Sequence, residues 1–263
     1  MTAILVRNGR EIWLDGPHYF STLTAIHERL EPQTYFEIGS LHGETLRLAR
    51  CASVAVDPKF QLTCDVEAGK PFCRLFEQTS DDFFAQQDPT QVLGAPVDLA
   101  FLDGMHQFAF LLRDFINTER HCRPGSAIVL HDCLPRDLFM TGDGGARAEP
   151  DARKYQDYWT GDVWKLVPIL RALRPDLTVT CLDAAPTGLV VCTNLDPNSA
   201  VLAEAYGRIV AEWTVVDIKA YGLHRLFAEA KVQSAAAWLN AMAPFAHPQP
   251  GWKRAIKRAL GRP

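Results

Sequence analysis

The chain has 263 residues, 48% of them apolar and 22% charged, enough to bury a sizeable core and to exclude disorder and collagen-like repeats. Lys and Arg number 27 against 31 Asp and Glu, a net charge of -4 that gives no electrostatic reason to expect nucleic acid as a partner. The longest apolar runs, such as 126–130 and 189–192, fall far short of the roughly 20 residues a membrane-spanning helix requires. Residues 1–10 lack the apolar segment of a secretion signal, so no transmembrane segment and a cytoplasmic location are expected. The cysteines at 51, 64, 73, 122, 133, 181 and 192 are odd in number and never in CxxC spacing. That fits reduced core thiols better than a disulfide framework or a thiolate zinc site.

In chain order, Phe20, Leu23, Ile26 and Leu30 are helically spaced and predict a helix over 17–30 that packs on the sheet, within an N-terminal extension of residues 1–33. From about 34 to 133, short β-branched runs alternate with longer helix-period segments, the pattern of a parallel sheet with helical crossovers. Strands are predicted at 34–38, 53–57, 74–78, 98–103 and 127–132, and helices at 43–51, 80–87 and 108–122. The pattern breaks over 134–160, where Gly142, Gly144, Gly145 and Pro150 read as a mobile loop or lid. A helical pattern resumes over 164–173. Residues 177–182 and 189–193, joined by Ala185-Pro186-Thr187-Gly188, then read as an antiparallel hairpin at the sheet edge. Helices over 199–213 and 223–242 follow, and the basic stretch 251–260 reads as a solvated terminus in preference to a membrane-surface helix. The expected architecture is a doubly wound α/β sheet domain over 34–198 followed by C-terminal helices over 199–263.

Chemistry is carried first by Glu37-Ile38-Gly39-Ser40-Leu41-His42-Gly43, an acidic strand end followed by two glycines. Gly39 and Gly43 let backbone approach a ligand, and Asp57, ending the second predicted strand, is placed to reach ribose hydroxyls. A nucleoside cofactor suits this crevice, although an ordinary glycine turn has the same appearance. The spacing is Gly-x-x-x-Gly and not the Gly-x-Gly-x-x-Gly that holds a pyrophosphate, which disfavours NAD and FAD. Asp103 and Asp132 end adjacent predicted strands, where two carboxylates can share one hard cation, with His106 and His131 close in sequence. The bland alternative leaves Asp103 holding cofactor and His131 ending a strand. Tyr155, Tyr158, Trp159 and Trp164 follow the glycine-rich loop and read as either stacking platforms for an acceptor or core.

Glu37-Ile38-Gly39-Ser40-x-x-Gly43 with Ala55-Val56-Asp57 resembles the S-adenosylmethionine motif of class I methyltransferases. Asp103-Gly104-Met105-His106 and His131-Asp132 make the chain similar to the small-molecule and sugar O-methyltransferase branch, as does Thr160-Gly161-Asp162-Val163-Trp164-Lys165. The resemblance spans about 34–193 and implies a Rossmann-like, seven-stranded sheet with a reversed hairpin. It further implies Glu37 and Gly39 near the cofactor's amino-acid portion, Asp57 on its ribose, and Ser80 and Asp81 near its adenine, with Ser40, Gly43 and Asp103 also on the cofactor. Thr79-Ser80-Asp81-Asp82 is equally a helix N-cap signature.

Metal-dependent relatives carry Asp-Asn where this chain has Asp132-Cys133, so one hard oxygen ligand is lost. The expected cation, Mg or Mn, is therefore held by Asp103, Asp132 and His131, with His106, His131 and Asp103 as catalytic groups. The resulting expectation is S-adenosylmethionine-dependent O-methylation of a hydroxylated small molecule: a sugar, glycan precursor or natural product. An N-methyltransferase and a non-catalytic cofactor-binding module are the alternatives, and a homo-oligomer is compatible with the sequence.

Overall fold

The computed structural model describes residues 5–7, 11–142 and 158–242. A two-stranded ribbon, β1 (Leu5–Arg7) and β2 (Glu11–Trp13), precedes helix α1 (Tyr19–Leu30). Then come β3 (Thr34–Ile38), β4 (Ala52–Asp57), β5 (Cys73–Glu77), α2 (Ser80–Gln86), α3 (Pro89–Leu93), β6 (Val97–Leu102), α4 (Phe108–Glu119) and β7 (Cys122–His131). The second half holds α5 (Leu166–Leu173), β8 (Thr178–Leu182), β9 (Leu189–Thr193), α6 (Val201–Thr214), α7 (Ile218–Tyr221), α8 (Leu223–Ala230) and α9 (Ala235–Ala241).

Seven strands form one sheet in the order β5-β4-β3-β6-β7-β9-β8. The first five pair in parallel, and β9 runs antiparallel to both β7 and β8. This is the doubly wound sheet with a reversed hairpin that the sequence predicts. Residues of β3, β4, β6 and β7 alternate between two apolar layers, as the two-residue strand period requires. Phe36, Val54, Ala100 and Ile128 face Phe83 and Phe115. Tyr35, Ala55, Leu99 and Val129 face Leu23, Ile26 and Leu30 of α1. Burial on both faces explains why these strands read as near-continuous apolar runs.

Two predicted helices are corrected. Residues 43–51 form no α-helix: the segment makes turns and one 3-10 turn, Leu46–Leu48. Gly43 sits at φ 79, and the chain is extended again by Ala49, whose burial beside Leu46 fixes this short route into β4. The predicted helix over 223–242 is broken because Lys231 adopts φ 46 and Gln233 is drawn to the hairpin. The Gln233 amide donates to Cys181 O (2.8 Å), and the Asp183 amide donates to Gln233 O (3.0 Å). Ser234 then caps α9. Helices α3 and α7 and the β1–β2 ribbon were not predicted, and the basic stretch 251–260 lies outside the described residues.

The segment ahead of α1 is stitched to the β8–β9 linker. Gly16 and Tyr19 amides donate to Asp183 O (3.2 Å) and Ala185 O (2.8 Å), and the Ala185 amide donates to Pro17 O (3.0 Å). Because β8 runs parallel to β7, this linker lies at the carboxyl edge of the sheet, where ligands of open α/β sheets bind. All seven cysteines are free thiols, and no helix among the described residues is long and apolar enough to cross a membrane.

Candidate active site

At the end of β3, the Gly39 amide donates to Val56 O and the Asp103 amide to Ile38 O, both at 2.9 Å. Gly39 takes φ 85 and packs directly on the backbone of Asp103. Glu37 lies beneath this turn, closed off from solvent. Its carboxylate accepts hydrogen bonds from the Tyr35 hydroxyl and from Thr45 Oγ1 (2.9 Å). Burial pushes its pKa up to about 7, against the opposing hydroxyl hydrogen bonds. Glu37 thus braces the turn from below. The buried Ser40 hydroxyl lies near that carboxylate without a well-formed hydrogen bond.

Asp57 clamps the loops on either side. One oxygen accepts from the Leu41 amide and the other from the Lys59 amide, both at 2.8 Å. Just beyond β5, Gln78 donates its backbone amide to Asp57 O (3.1 Å) and leaves its buried side-chain Nε2 without a partner among the described residues. Its only sequence signal is its place at a predicted strand end. Ser80 and Asp81 open α2 behind the Thr79 N-cap. Asp81 forms a two-pronged pair with Arg113 of α4 (2.9 and 2.6 Å), and the Ser80 hydroxyl bonds Asp114. Both residues thus tie α2 to α4.

On the far side of Gly39, Asp103 follows β6 and Asp132 follows β7, the latter at φ 57, in the left-handed region that turns the chain out of the sheet. Two imidazoles bridge them. His106 Nε2 lies 3.3 Å from both Asp103 Oδ1 and Asp132 Oδ2. His131 Nδ1 lies 3.1 Å from Asp103 Oδ1 and 3.5 Å from Asp132 Oδ2. Burial opposes charge on both rings, but the two carboxylates outweigh it and each histidine is pushed up to about 9. Burial likewise opposes ionisation of Asp103, and the facing imidazoles more than offset it, holding the carboxyl well below its usual range.

One ligand atom from each of Asp103, His131 and Asp132 falls within 4.8 Å of the others, a set of two hard oxygens and one nitrogen that suits Mg or Mn. Cys133 adds nothing to it, because its thiol is fully buried and donates to His131 O.

The predicted loop over 134–160 is anchored at both ends. Leu134, Met140 and Thr160 are fully buried, and the Thr160 amide donates to Met140 O (2.8 Å). Trp159 Nε1 donates to Gly142 O (2.7 Å), while His106 Nδ1 meets Trp159 O at 2.6 Å. A lid reading for the whole stretch is therefore too broad, and 143–157 lie outside the described residues. Trp164 belongs to the core.

Residues 36–133 match a family model described as a methyltransferase domain. Similar solved structures include the O-methyltransferase TomG from Streptomyces achromogenes in complex with SAM, at 15% identity over 73% of this chain and 82% of that chain, TM-score 0.45. An O-methyltransferase from Bacillus cereus in complex with SAH has 13% identity over 72% and 82% of the two chains, TM-score 0.45. The SAH-bound Podospora anserina methyltransferase PaMTH1 has 15% identity over 68% and 78%, TM-score 0.46. No curated protein matches the chain.

Proposed function

We propose that this chain, which carries a methyltransferase domain over residues 36–133, is an S-adenosylmethionine-dependent O-methyltransferase acting on a hydroxylated small molecule such as a sugar, glycan precursor or natural product. The observation that carries the reading is the junction at Gly39, where a glycine turn flanked by Asp57 shares one wall with a cluster of two carboxylates and two imidazoles.

The crevice fits a nucleoside cofactor. The unpartnered Gln78 amide lies beside Asp57 at the ends of β4 and β5, where polar hydroxyl and ring atoms would satisfy it. A pyrophosphate is poorly served there, because the glycine turn leads into a single 3-10 turn and not into the N-terminus of an α-helix. When bound, S-adenosylmethionine supplies a methyl group that is already electrophilic. The protein's task is then alignment and removal of the acceptor proton. Gly39, Ser40, Gly43 and Asp57 hold the cofactor side, with Glu37 bracing the turn from below and Ser80 and Asp81 at its edge.

On the acceptor side His106 and His131 are the proton-accepting groups, and Asp103 orients both rings at hydrogen-bonding distance. A divalent cation would be held by Asp103, Asp132 and His131 and would lower the acceptor hydroxyl's pKa, leaving His106 as the proton-accepting ring.

Calorimetry with S-adenosylhomocysteine and with NAD, followed by methyl-transfer assays against a panel of hydroxylated metabolites, tests the reading. Binding of the first ligand alone is expected. A chain that binds neither, or that binds NAD in preference, is not this enzyme.

A further inference from the structure

Two aromatic residues from outside the 36–133 segment flank the histidine–aspartate cluster, Tyr19 against His131 and Trp159 against His106. Tyr19 opens α1, far ahead of β3 in the chain, yet its backbone is fixed at the ligand edge by the bond from its amide to Ala185 O and by the return bond from Ala185 to Pro17 O. Its half-buried ring lies tilted against His131, with centroids 4.2 Å apart and an interplanar angle of 36°. The phenol lies within electrostatic reach of Asp103 and Asp132. Among the described residues its hydroxyl makes no hydrogen bond.

The opposite flank is built differently. The Trp159 ring lies 5.3 Å from the His106 ring, and its indole N–H is occupied by Gly142 O. One flank therefore offers an aromatic ring with an uncommitted hydroxyl, and the other offers an aromatic ring whose only polar group is already bonded. Buried or half-buried Tyr hydroxyls normally find a partner, so an uncommitted one beside a reactive cluster is a recognition handle.

We propose that Tyr19 is an acceptor-binding residue, its hydroxyl hydrogen-bonding a hydroxyl-bearing ring that lies against the Asp103–Asp132 cluster and its own ring holding His131 in place. The inference rests on the methyl-transfer reading above and adds the helix before the core to the acceptor subsite.

The test uses the full chain saturated with S-adenosylhomocysteine and 4-nitrocatechol as the ring probe, followed by its visible absorbance. The wild type is expected to bind the probe. Tyr19→Phe should weaken that binding about three- to tenfold, the loss of one hydrogen bond, while S-adenosylhomocysteine affinity and the unfolding midpoint stay unchanged. Tyr19→Ala should in addition shift the ring resonances of His131, which Tyr19→Phe should leave in place. A wild type that binds S-adenosylhomocysteine but not the probe, or a Tyr19→Phe variant that binds the probe undiminished, overturns the assignment and leaves the methyltransferase reading standing. Failure to bind S-adenosylhomocysteine removes that reading and the assignment with it.

Discussion

Gly39 and Asp103 meet backbone to backbone: a Cβ on Gly39 would lie 2.0 Å from the Asp103 carbonyl oxygen. The turn on the cofactor side and the loop carrying a cluster carboxylate are thus one packed unit, so strain at either is felt at both. Gly39→Ala combines this clash with φ 85, a left-handed conformation unfavourable to a side chain. The variant should lose at least about 1–3 kcal/mol of stability and most of its S-adenosylhomocysteine affinity. Denaturant titration and calorimetry check both, and normal affinity in a fully folded variant would contradict the shared-wall account.

Asp57→Ala should weaken S-adenosylhomocysteine by tenfold or more, since a charged acceptor contributes about 1.5–3 kcal/mol. Loss of the clamps on Leu41 and Lys59 adds to the effect. Asp57→Asn keeps the shape and one acceptor oxygen, so a partial recovery in calorimetry is expected.

The paired histidines set a pH dependence. Both are raised in the folded chain to about 9, from an unfolded value of about 6.5. Their contribution to stability is therefore fully present below about 6.5 and is lost as pH rises through about 9. Unfolding free energy should fall across that window, and His131→Gln should flatten the fall. Without added metal, methyl transfer should rise toward pH 9 and not level off near 6.5, because each ring accepts a proton only after losing its own. A rate plateau by pH 7 would show that neither histidine is the base.

Divalent cation binding requires His131 without the proton at Nδ1, so manganese affinity should increase with pH and binding should release protons. Asp132→Asn should weaken the metal. If the cation activates the acceptor, chelation abolishes turnover while leaving S-adenosylhomocysteine bound, as calorimetry of the chelated enzyme can establish. Full activity after chelation would assign the proton transfer to histidine alone.

Asp114, buried beneath Gly104, carries a carboxyl that burial pushes up to about 7, against the Ser80 hydrogen bond. A raised carboxyl favours folding at low pH and progressively less as pH climbs from about 4 through 7. Asp114→Asn should therefore be more stable than wild type at pH 8 and show little difference at pH 5. Equal destabilisation at both pH values in urea would refute the burial argument.

What the sequence by itself determined is the sheet and its ligand edge. Residues 34–38 and 189–193 are read correctly because strands buried on both faces are short, mostly apolar and β-branched or aromatic runs, and residues 37–43 announce a turn because two glycines follow a strand. Local pattern also names Asp103, His106, His131 and Asp132, since each lies at a strand end or just past it. Only the tertiary structure decided how they meet. The sequence places Asp103 and Asp132 at adjacent strand ends, as β6 and β7 are, but both imidazoles reaching both carboxylates depends on the turn at Asp132 (φ 57) and on the anchoring of His106 to Trp159 O, which no spacing encodes. The same holds for Glu37, whose burial under the turn comes from Tyr35 and Thr45, and for the break at Lys231, imposed by pairing of Gln233 with the hairpin. Tyr19 is the furthest case: helical periodicity predicts its helix, but its place over His131 follows from backbone bonds to Ala185, a contact across most of the chain that local propensity cannot express.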